Sequence, residues 1–356
     1  MKSNAKTLLK VLFATAVLCL FTAIGASAEP ISGTFYDAAK ANAGDDGAIS
    51  YQYKSGNTTT NRYYKKNNLY KYTFDTVTGK LTIDAAENTS GNMCLDPNND
   101  DGVLKELLPW RNPKTIDPAK ITSVEIGSGI KKLGRELFKG TAITKLTIPA
   151  TVTGGMEWGV ANGCTELTTV TFAEDVTEIG DKFAFGCSKL KDVYLPRTVV
   201  KVNQRAFGSN QGGTSTIHFY PLADVLDDIA GMKNGTNKAN NTELTYDTIN
   251  TIYSGDFTDN ANNVFKYALS ADFNVVSYDW TTLPAVTKTL TVDSKDGTKK
   301  NITYTDTEIA YPWNGKWNTL VDKIAFGENL TNVGRQMCKN MTSLKVVTIP
   351  RVCHKH

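Results

Sequence analysis

Apolar residues recur along this chain at a nearly constant period. Each recurrence is a short stretch in which apolar and polar positions alternate, as in Leu167-Thr-Thr-Val170-Thr-Phe172. The middle apolar residue returns with spacings of 22, 24, 23 and 24 residues, at Val124, Leu146, Val170, Val193 and Ile217. Because a strand places alternate side chains on one face, each stretch predicts a short strand with one buried side. A constant period in the twenties indicates stacked supersecondary units.

Between these strands, each unit carries a second apolar pair followed by a turn, as in Val176 and Ile179-Gly180. A third hydrophobic position follows, at Phe138, Phe185, Phe207 or Met337. One such unit cannot bury its own apolar face, whereas stacked units bury a continuous one. The pattern therefore predicts a β-dominated solenoid in which the third hydrophobic side chain closes each unit.

The chain is also expected to be duplicated on a larger scale. A second set of repeats is predicted near the end of the sequence, where Val321, Ile324 and Phe326 match Leu344, Val347 and Ile349. Each set follows an alternating, β-prone stretch and a Pro-Trp step, which predicts a small β unit covering the open edge of each array. The predicted organisation is a leader (1–28), a β-prone extension (29–68), a β prelude (69–120), a repeat array with a C-terminal capping helix (121–232), a linker (233–263), a second β prelude (264–319) and a partial second array (320–356).

The stretch "VTEIGDKFAFGCSKLKDVYLP", residues 176–196, resembles the repeat of the BspA-type leucine-rich repeat family, roughly V-x-x-I-G-x-x-A-F-x-x-C-x-x-L-x-x-I-x-I-P. It is one residue shorter than that pattern before its cysteine, and the repeats cover about 121–220 and 321–350. The resemblance implies a leucine-rich repeat solenoid of the β-dominated α/β horseshoe type. It also implies adhesion to host proteins, other cells or matrix, with fibronectin and fibrinogen as typical partners of the family.

The first 28 residues have the pattern of a secretory signal peptide, with three lysines, an apolar run at 11–24 and small residues at 26–28. We place cleavage after Ala28 and expect a mature chain that is secreted or held at the cell surface. Without the three leader lysines, 39 minus 3 leaves 36 basic residues against 36 acidic ones. This balance gives no reason to expect nucleic acid as a partner. No later segment is apolar enough to predict membrane insertion after signal cleavage.

Three of the five cysteines outside the leader, Cys164, Cys187 and Cys338, occupy the same position of their repeat units. We expect them to be buried thiols that pack as small hydrophobic side chains. A disulfide between Cys164 and Cys187 is the alternative, and it requires specific Cβ directions. The odd number of cysteines argues against a fully paired disulfide framework.

The sequence offers little for catalysis or for a cofactor. Its three histidines are His218, His354 and His356, and a positioned histidine is what a Ser or Cys nucleophile needs. We predict that the protein is not an enzyme and has no cofactor. Two metal sites are considered and not predicted: "CHKH" at 353–356 and "DPNNDDG" at 96–102, which lacks the acidic residue a calcium loop has at its twelfth position.

The segment "NRYYKKNNLYK", residues 61–71, alternates basic residues with tyrosines. This composition is typical of a nucleic-acid platform. Outside a cell, an anionic wall polymer or glycan is the corresponding partner. A solvated strand whose tyrosines face inward is the simpler interpretation.

The remaining candidate for a binding site is the outer face of the repeat sheet. Residues between the buried strand positions point out of the sheet, and repeat curvature makes such faces extended binding surfaces. The candidate residues are Ser123, Glu125, Lys145, Thr147, Thr169, Thr171, Asp192, Tyr194, Thr216 and His218. The expected ligand is an extracellular protein or glycan, and the oligomeric state is left open. Alternatives are that the threonines serve only β propensity, that the protein is a surface-layer scaffold, or that the repeats are the non-catalytic region of a secreted hydrolase.

Overall fold

The computed structural model describes residues 29–55, 57–95, 101–203, 205–208, 214–220, 243–249, 251–272, 286–304 and 311–350. The predicted leader, the predicted capping helix at 221–232 and the Cys-His tract at 353–356 lie outside these residues. In the ranges that are described, no helix has the length and apolar character needed to cross a membrane.

The first sheet contains the predicted prelude and the first repeat strand. Its strands are β1 (Ile31–Ala41), β2 (Ile49–Ser55), β3 (Thr58–Asp75), β4 (Lys80–Ala85) and β5 (Ser123–Ile126). They run in the order β1-β3-β4-β5, with β2 paired to β3. The pairs are antiparallel except for β4 and β5, which are parallel. The prelude therefore adds its last strand directly to the first repeat strand.

The connection from β4 to β5 carries helix α1 (Asp101–Leu107) and two 3₁₀ turns (Pro109–Arg111 and Pro118–Lys120). The first turn places Trp110 in the core, where it is fully buried. Its indole Nε1 donates a hydrogen bond of 2.6 Å to the carbonyl of Leu137, in the neighbouring repeat unit. The Pro-Trp step thus joins the first β unit to the repeats.

The second sheet is built from the repeats. It contains β6 (Lys145–Ile148), β7 (Thr169–Phe172), β9 (Asp192–Tyr194), β11 (Thr214–Phe219) and β12 (Glu243–Thr248), all parallel, in the order β12-β11-β9-β7-β6. A separate parallel pair, β8 (Glu178–Ile179) and β10 (Lys201–Val202), lies within the same units. The middle residues of β6, β7, β9 and β11 follow one another at 23 or 24 residues and stack in parallel, as the periodicity predicts, whereas Tyr246 of β12 lies 29 residues after its partner Ile217.

The third sheet contains the second predicted prelude and the strands of the predicted second array. Its order is β13 (Thr251–Thr258), β14 (Val264–Asp272), β15 (Thr287–Ser294), β16 (Lys323–Phe326) and β17 (Val346–Thr348). The first two pairings are antiparallel and the last two are parallel. A 3₁₀ turn at Asn318–Leu320 precedes β16.

The sheets divide the chain differently from the domain boundaries that the sequence predicts. The division between residues 68 and 69 falls inside β3, because β1 and β2 pair with that one continuous strand. The range 233–263 predicted as a linker holds β12, which extends the second sheet, and β13, which begins the third. Polar, threonine-rich sequence forms strands there because a neighbouring strand supplies the hydrogen-bonding edge.

Burial in the repeat strands follows their alternation. In β6, Leu146 and Ile148 are buried while Lys145 and Thr147 are exposed. The facing middle positions Val170, Val193 and Ile217 have no exposed surface, so stacked units share one core. At roughly 1.5–3 kcal/mol for each buried aliphatic side chain, this packing is the main source of stability.

One core position differs from the expected pattern. Phe185 is only half-buried, and the Lys182 ammonium lies 5.5 Å above its ring. The adjacent Phe183 and Ala184 are fully buried in its place. The unit is one residue short before its cysteine, which moves the core pair back along the chain.

The repeat cysteines are free thiols with a structural role. Cys164 and Cys187 are fully buried and form no disulfide bond. The Sγ of Cys164 donates to the carbonyl of Phe138 at 3.0 Å, and the Sγ of Cys187 donates to the carbonyl of Ala161 at 3.2 Å. The neighbouring Cys164 thiol and burial raise the pKa of Cys187 well above its usual value. A thiol with a raised pKa is a poor nucleophile.

Candidate functional site

Two rows of outward-facing residues cross the second sheet. Parallel pairing without register shifts aligns the first outward position of each strand with that of the next. The first row is Lys145, Thr169, Asp192 and Thr216; the second row is Thr147, Thr171, Tyr194 and His218. We call these eight residues the sheet face. Their backbones are fixed by the ladder, so their side chains are presented at the strand-to-strand spacing of about 4.8 Å.

The sheet face has a polar and aromatic cluster at β9 and β11. A ring nitrogen of His218 lies 3.0 Å from Oδ1 of Asp192. The Tyr194 and His218 rings are stacked, with centroids 4.4 Å apart and planes inclined by 8°. Tyr194 is 40% exposed, so part of its ring faces solvent. The contacts hold both rings in place, which lowers the entropy cost of placing a ligand against them.

Ser123 and Glu125 belong to a different ladder. Their strand β5 pairs with β4, which puts Ser123 opposite Lys80 and Glu125 opposite Thr82. Glu125 forms an ion pair with Lys80. The second sheet begins one unit later, and Thr144 N donates to the carbonyl of Thr122 across this step. The structure therefore brings together eight of the ten candidate residues and places these two on the first sheet.

The contact between Asp192 and His218 is not apparent in the sequence as a motif. The two residues are 26 positions apart. His218 lies diagonally across from Asp192, because the direct cross-strand partner of Asp192 is Thr216. The repeat period indicates that Asp192 and His218 are neighbours only after the strand register is known. His218 contacts a carboxylate and an aromatic ring, and these contacts fix the orientation of its imidazole.

Metal binding receives no support from the described part of the chain. Within those residues, no group of three or more His, Cys, Asp or Glu side chains is placed to hold a metal ion. Of the possible calcium loop, Asp101 and Gly102 begin helix α1, and residues 96–100 lie outside the described ranges.

Sequence comparison identifies the repeats. Residues 116–223 match the family described as "BspA type Leucine rich repeat region" in 6 copies. This segment contains β5, β6, β7, β9 and β11 and all ten candidate residues. No curated protein sequence matches the chain.

Three solved bacterial structures are similar to this chain. A leucine-rich repeat protein from Eubacterium ventriosum ATCC 27560 is 16% identical, with 86% of this chain and 76% of that chain covered and a TM-score of 0.30. A leucine-rich repeat protein from Bacteroides ovatus ATCC 8483 is 12% identical, with coverages of 66% and 50% and a TM-score of 0.23. A leucine-rich cell surface protein from Faecalibacterium prausnitzii A2-165 is 11% identical, with coverages of 84% and 76% and a TM-score of 0.20.

All three TM-scores lie below 0.5, so the assignment rests on the family match and on the stacked parallel strands. Both observations describe short repeated units stacked side by side over this segment. The resemblance seen in the sequence is confirmed for this segment: residues 116–223 are a BspA-type leucine-rich repeat region.

Proposed function

We propose that this protein is a secreted or cell-surface binding protein that holds its ligand on the sheet face. The finer architecture belongs to the same proposal: the units wind into a horseshoe-type solenoid, and β16 and β17 begin a second array. The observation that carries the proposal is the pair of in-register rows, which includes the Asp192, Tyr194 and His218 cluster.

The composition of the sheet face suits recognition of a polar macromolecule. Threonine hydroxyls donate and accept hydrogen bonds, Asp192 accepts them, and Lys145 supplies a positive charge. Tyrosine is enriched at binding hot spots because a rigid ring offers large contact area at low entropy cost. An extracellular protein or glycan is therefore the proposed ligand, and adhesion is the proposed role.

The repeat type supports a binding protein over an enzyme. Leucine-rich repeat regions of this type are typically non-catalytic. Contacts of His218 with Asp192 and with the Tyr194 ring fix its orientation on the sheet face.

The test is solid-phase binding of purified residues 29–356 to fibronectin, fibrinogen, mucin and a glycan array. The test variant is the triple substitution Lys145→Ala, Asp192→Ala and Tyr194→Ala. The matched control is Thr177→Ala with Val200→Ala, two exposed residues in the same repeat units away from the sheet face. We expect saturable binding that weakens about tenfold or more in the triple variant, since central aromatic contacts dominate binding energy.

Equally strong binding by wild type and the triple variant would show that the ligand binds outside the sheet face. If none of the probes binds, a sizing run over a range of concentrations separates a scaffold, which self-associates, from a monomer. Circular dichroism of each variant checks that the fold is retained.

A further inference from the structure

The two β units are built alike, residue by residue. In the first unit, Phe35 and Tyr70 are paired across strands with their rings stacked at 5.3 Å and 24°. In the second unit, Phe257 and Phe265 occupy the same positions, with rings at 5.3 Å and 26°. Both aromatic pairs pack edge-on against the tryptophan of their Pro-Trp step. The duplication suggested by the sequence is thus present in the packing of both units.

The first unit has a buried aspartate at the point where β1 meets β3. Asp37 accepts hydrogen bonds from the backbone N–H groups of Asn68 at 2.7 Å and Cys94 at 2.9 Å. The Asn68 amide donates to the same carboxylate at 3.1 Å. Ala38 N in turn donates to the carbonyl of Cys94.

The second unit repeats this junction with the same geometry. Asp259 accepts from the backbone N–H groups of Asn263 at 2.8 Å and Thr303 at 2.9 Å, and from the Asn263 amide at 3.1 Å. Asn260 N donates to the carbonyl of Thr303. Asp259 and Asn263 therefore correspond to Asp37 and Asn68.

The length of chain between the corresponding residues is very different. Residues 260–262 form a short turn in the second unit, whereas residues 38–67 separate the same two positions in the first. We call residues 38–67 the arm. It consists of the end of β1, all of β2 and the first part of β3, which pair as antiparallel strands. Since the second unit closes without it, the arm is an addition to the β unit and not a requirement of its fold.

The arm carries a charge that the rest of the chain does not. It has five basic residues and two acidic ones, a net charge of +3. Subtracting these from the 36 basic and 36 acidic residues of 29–356 leaves 31 and 34, a net charge of −3. The positive charge is therefore concentrated in one added segment.

The lysines of the arm are available for a ligand. Lys40, Lys54, Lys65 and Lys66 are exposed, and none has an ion-pair partner among the residues that the structure describes. In the repeats, by contrast, cations are paired across neighbouring units, as in Lys189 with Glu166 at 2.6 Å. By strand alternation, Lys40 and Lys66 lie on one face of the arm and Lys54 and Lys65 on the other. Unpaired cations on both faces of a narrow arm attract a polyanion, and the attraction weakens with salt.

Three tyrosines in or beside the arm contact a cation or the core and do not form an open stacking platform for bases. The Arg62 guanidinium lies 3.5 Å above the Tyr53 ring, and the Lys66 ammonium lies 5.5 Å from the Tyr36 ring centroid. Tyr64 is buried in the core. The exposed tip of the arm is instead hydroxyl- and amide-rich, with the sequence Asn-Thr-Thr-Thr-Asn at 57–61. Such groups hydrogen-bond to sugar hydroxyls.

A cavity at the base of the arm is lined by both positively and negatively charged side chains. Its volume is about 390 Å³, and its walls include Lys40 and Lys65 together with Asp45 and Asp46. Carboxylates accept hydrogen bonds from sugar hydroxyls, and the two lysines beside them attract anionic groups. The lining thus favours a ligand that has both negative charges and hydroxyl groups.

We propose that the arm is a second binding surface and that its ligand is an anionic polysaccharide. The lysines contact sulfate or carboxylate groups along the polymer. The hydroxyl and amide groups of the tip and the aspartates of the cavity contact its sugar hydroxyls.

The experiment measures binding of residues 29–356 to dextran sulfate, polygalacturonate, neutral dextran and an oligothymidylate strand, at a series of salt concentrations. The variant is Lys40→Gln, Lys65→Gln and Lys66→Gln. We expect wild type to bind at least one of the two anionic polysaccharides at about 0.15 M salt and to bind the neutral dextran and the oligothymidylate more weakly. The variant loses about tenfold in affinity and shows a shallower dependence on salt.

The control variant removes the same charge elsewhere, by Lys114→Gln, Lys120→Gln and Lys316→Gln, three exposed lysines outside the arm. An equal loss in this control would reduce the effect to net charge and overturn the proposal. Absence of polysaccharide binding, or equally tight binding of oligothymidylate, would also overturn it. The sheet-face triple variant keeps polysaccharide binding if the arm is the site, so this result is independent of the proposed function above.

Discussion

The Asp37 junction predicts a large loss of stability on removal of one small side chain. Asp37 has no exposed surface, and its carboxylate accepts from two backbone N–H groups, Asn68 N and Cys94 N. The change Asp37→Ala leaves both donors without an acceptor in a dry site. Each unsatisfied buried donor costs about 1–3 kcal/mol.

Part of this cost is offset, because the variant no longer buries a carboxylate. Burial is the largest influence on Asp37 and raises its pKa above the ordinary value, despite the hydrogen bonds it accepts. We therefore expect Asp37→Ala to lower the free energy of unfolding by about 3 kcal/mol. Asp37→Asn keeps the shape and one oxygen acceptor, but its NH2 group faces the second backbone donor, so it is expected to cost about 2 kcal/mol.

The same carboxylate predicts a dependence on pH. A folded-state pKa above the unfolded value means that the folded chain binds more protons between the two values. The contribution of Asp37 to stability is therefore greatest below its ordinary pKa of 3.8 and falls as pH rises through the raised folded pKa. The stability advantage of wild type over Asp37→Asn should accordingly be larger at acidic pH than at neutral pH.

Urea unfolding followed by circular dichroism, at pH 7 and at several acidic pH values, measures these differences. Asp259→Ala is the matched control, because it removes the corresponding carboxylate of the second unit and should cost a similar amount. A loss below about 1 kcal/mol for Asp37→Ala would show that water or a neighbouring group replaces the carboxylate, which contradicts the reasoning.

Three further results are expected. Trp110→Phe should cost about 2–4 kcal/mol in urea unfolding, because it removes the indole hydrogen bond and leaves a cavity, and a cost below 1 kcal/mol would contradict this. Replacing residues 38–67 by Asn-Ala-Asn, the sequence of 260–262, should give a chain that still unfolds cooperatively. The free energy of unfolding should fall by about 3 kcal/mol, because apolar surface at the base of the arm is no longer buried. An aggregated product would show that the fold requires the arm. Hydrogen bonds from Lys201 and then Asn203 lower the pKa of Glu178. In acid-denaturation curves, the extra stability of wild type over Glu178→Gln should therefore be present above pH 4.5 and shrink as pH falls through the lowered pKa. A stability difference that does not depend on pH would refute the ion pair as its source.

The repeats are the part of the fold that the sequence predicts well. A unit that recurs with buried residues at fixed positions leaves little choice of strand position, since Leu146, Val170, Val193 and Ile217 must face one core. Phe185 was assigned to that core and is half-buried, because a one-residue shift inside a unit is not visible when aromatic residues stand at both Phe183 and Phe185.

The candidate site is less accessible to sequence reasoning. Alternation predicts which residues point outward but not which strands are neighbours. Glu125 was grouped with the other outward residues, whereas its strand completes the first sheet beside Lys80. The stack of Tyr194 on His218 depends on side-chain rotamers, and those are set by packing and not by spacing.

The arm was hidden for a different reason. In the sequence, its residues belong to the β-prone extension predicted at 29–68, and nothing marks Asp37 and Asn68 as neighbours. Their counterparts Asp259 and Asn263 are only four residues apart, so the local turn of one unit explains a long-range contact of the other. Comparison of the two units within one structure makes the correspondence visible.

The ion pairs between repeat units have a mechanical consequence. Glu166 with Lys189, Glu174 with Arg197 and Glu178 with Lys201 each connect residues 23 positions apart, and the parallel ladder connects the same neighbouring units. Bonds of this kind are arranged in series along the stack. When a chain tethered at one end is pulled at the other, its units therefore unfold one after another. Each unfolded unit lengthens the extended chain by about 23 residues, roughly 80 Å.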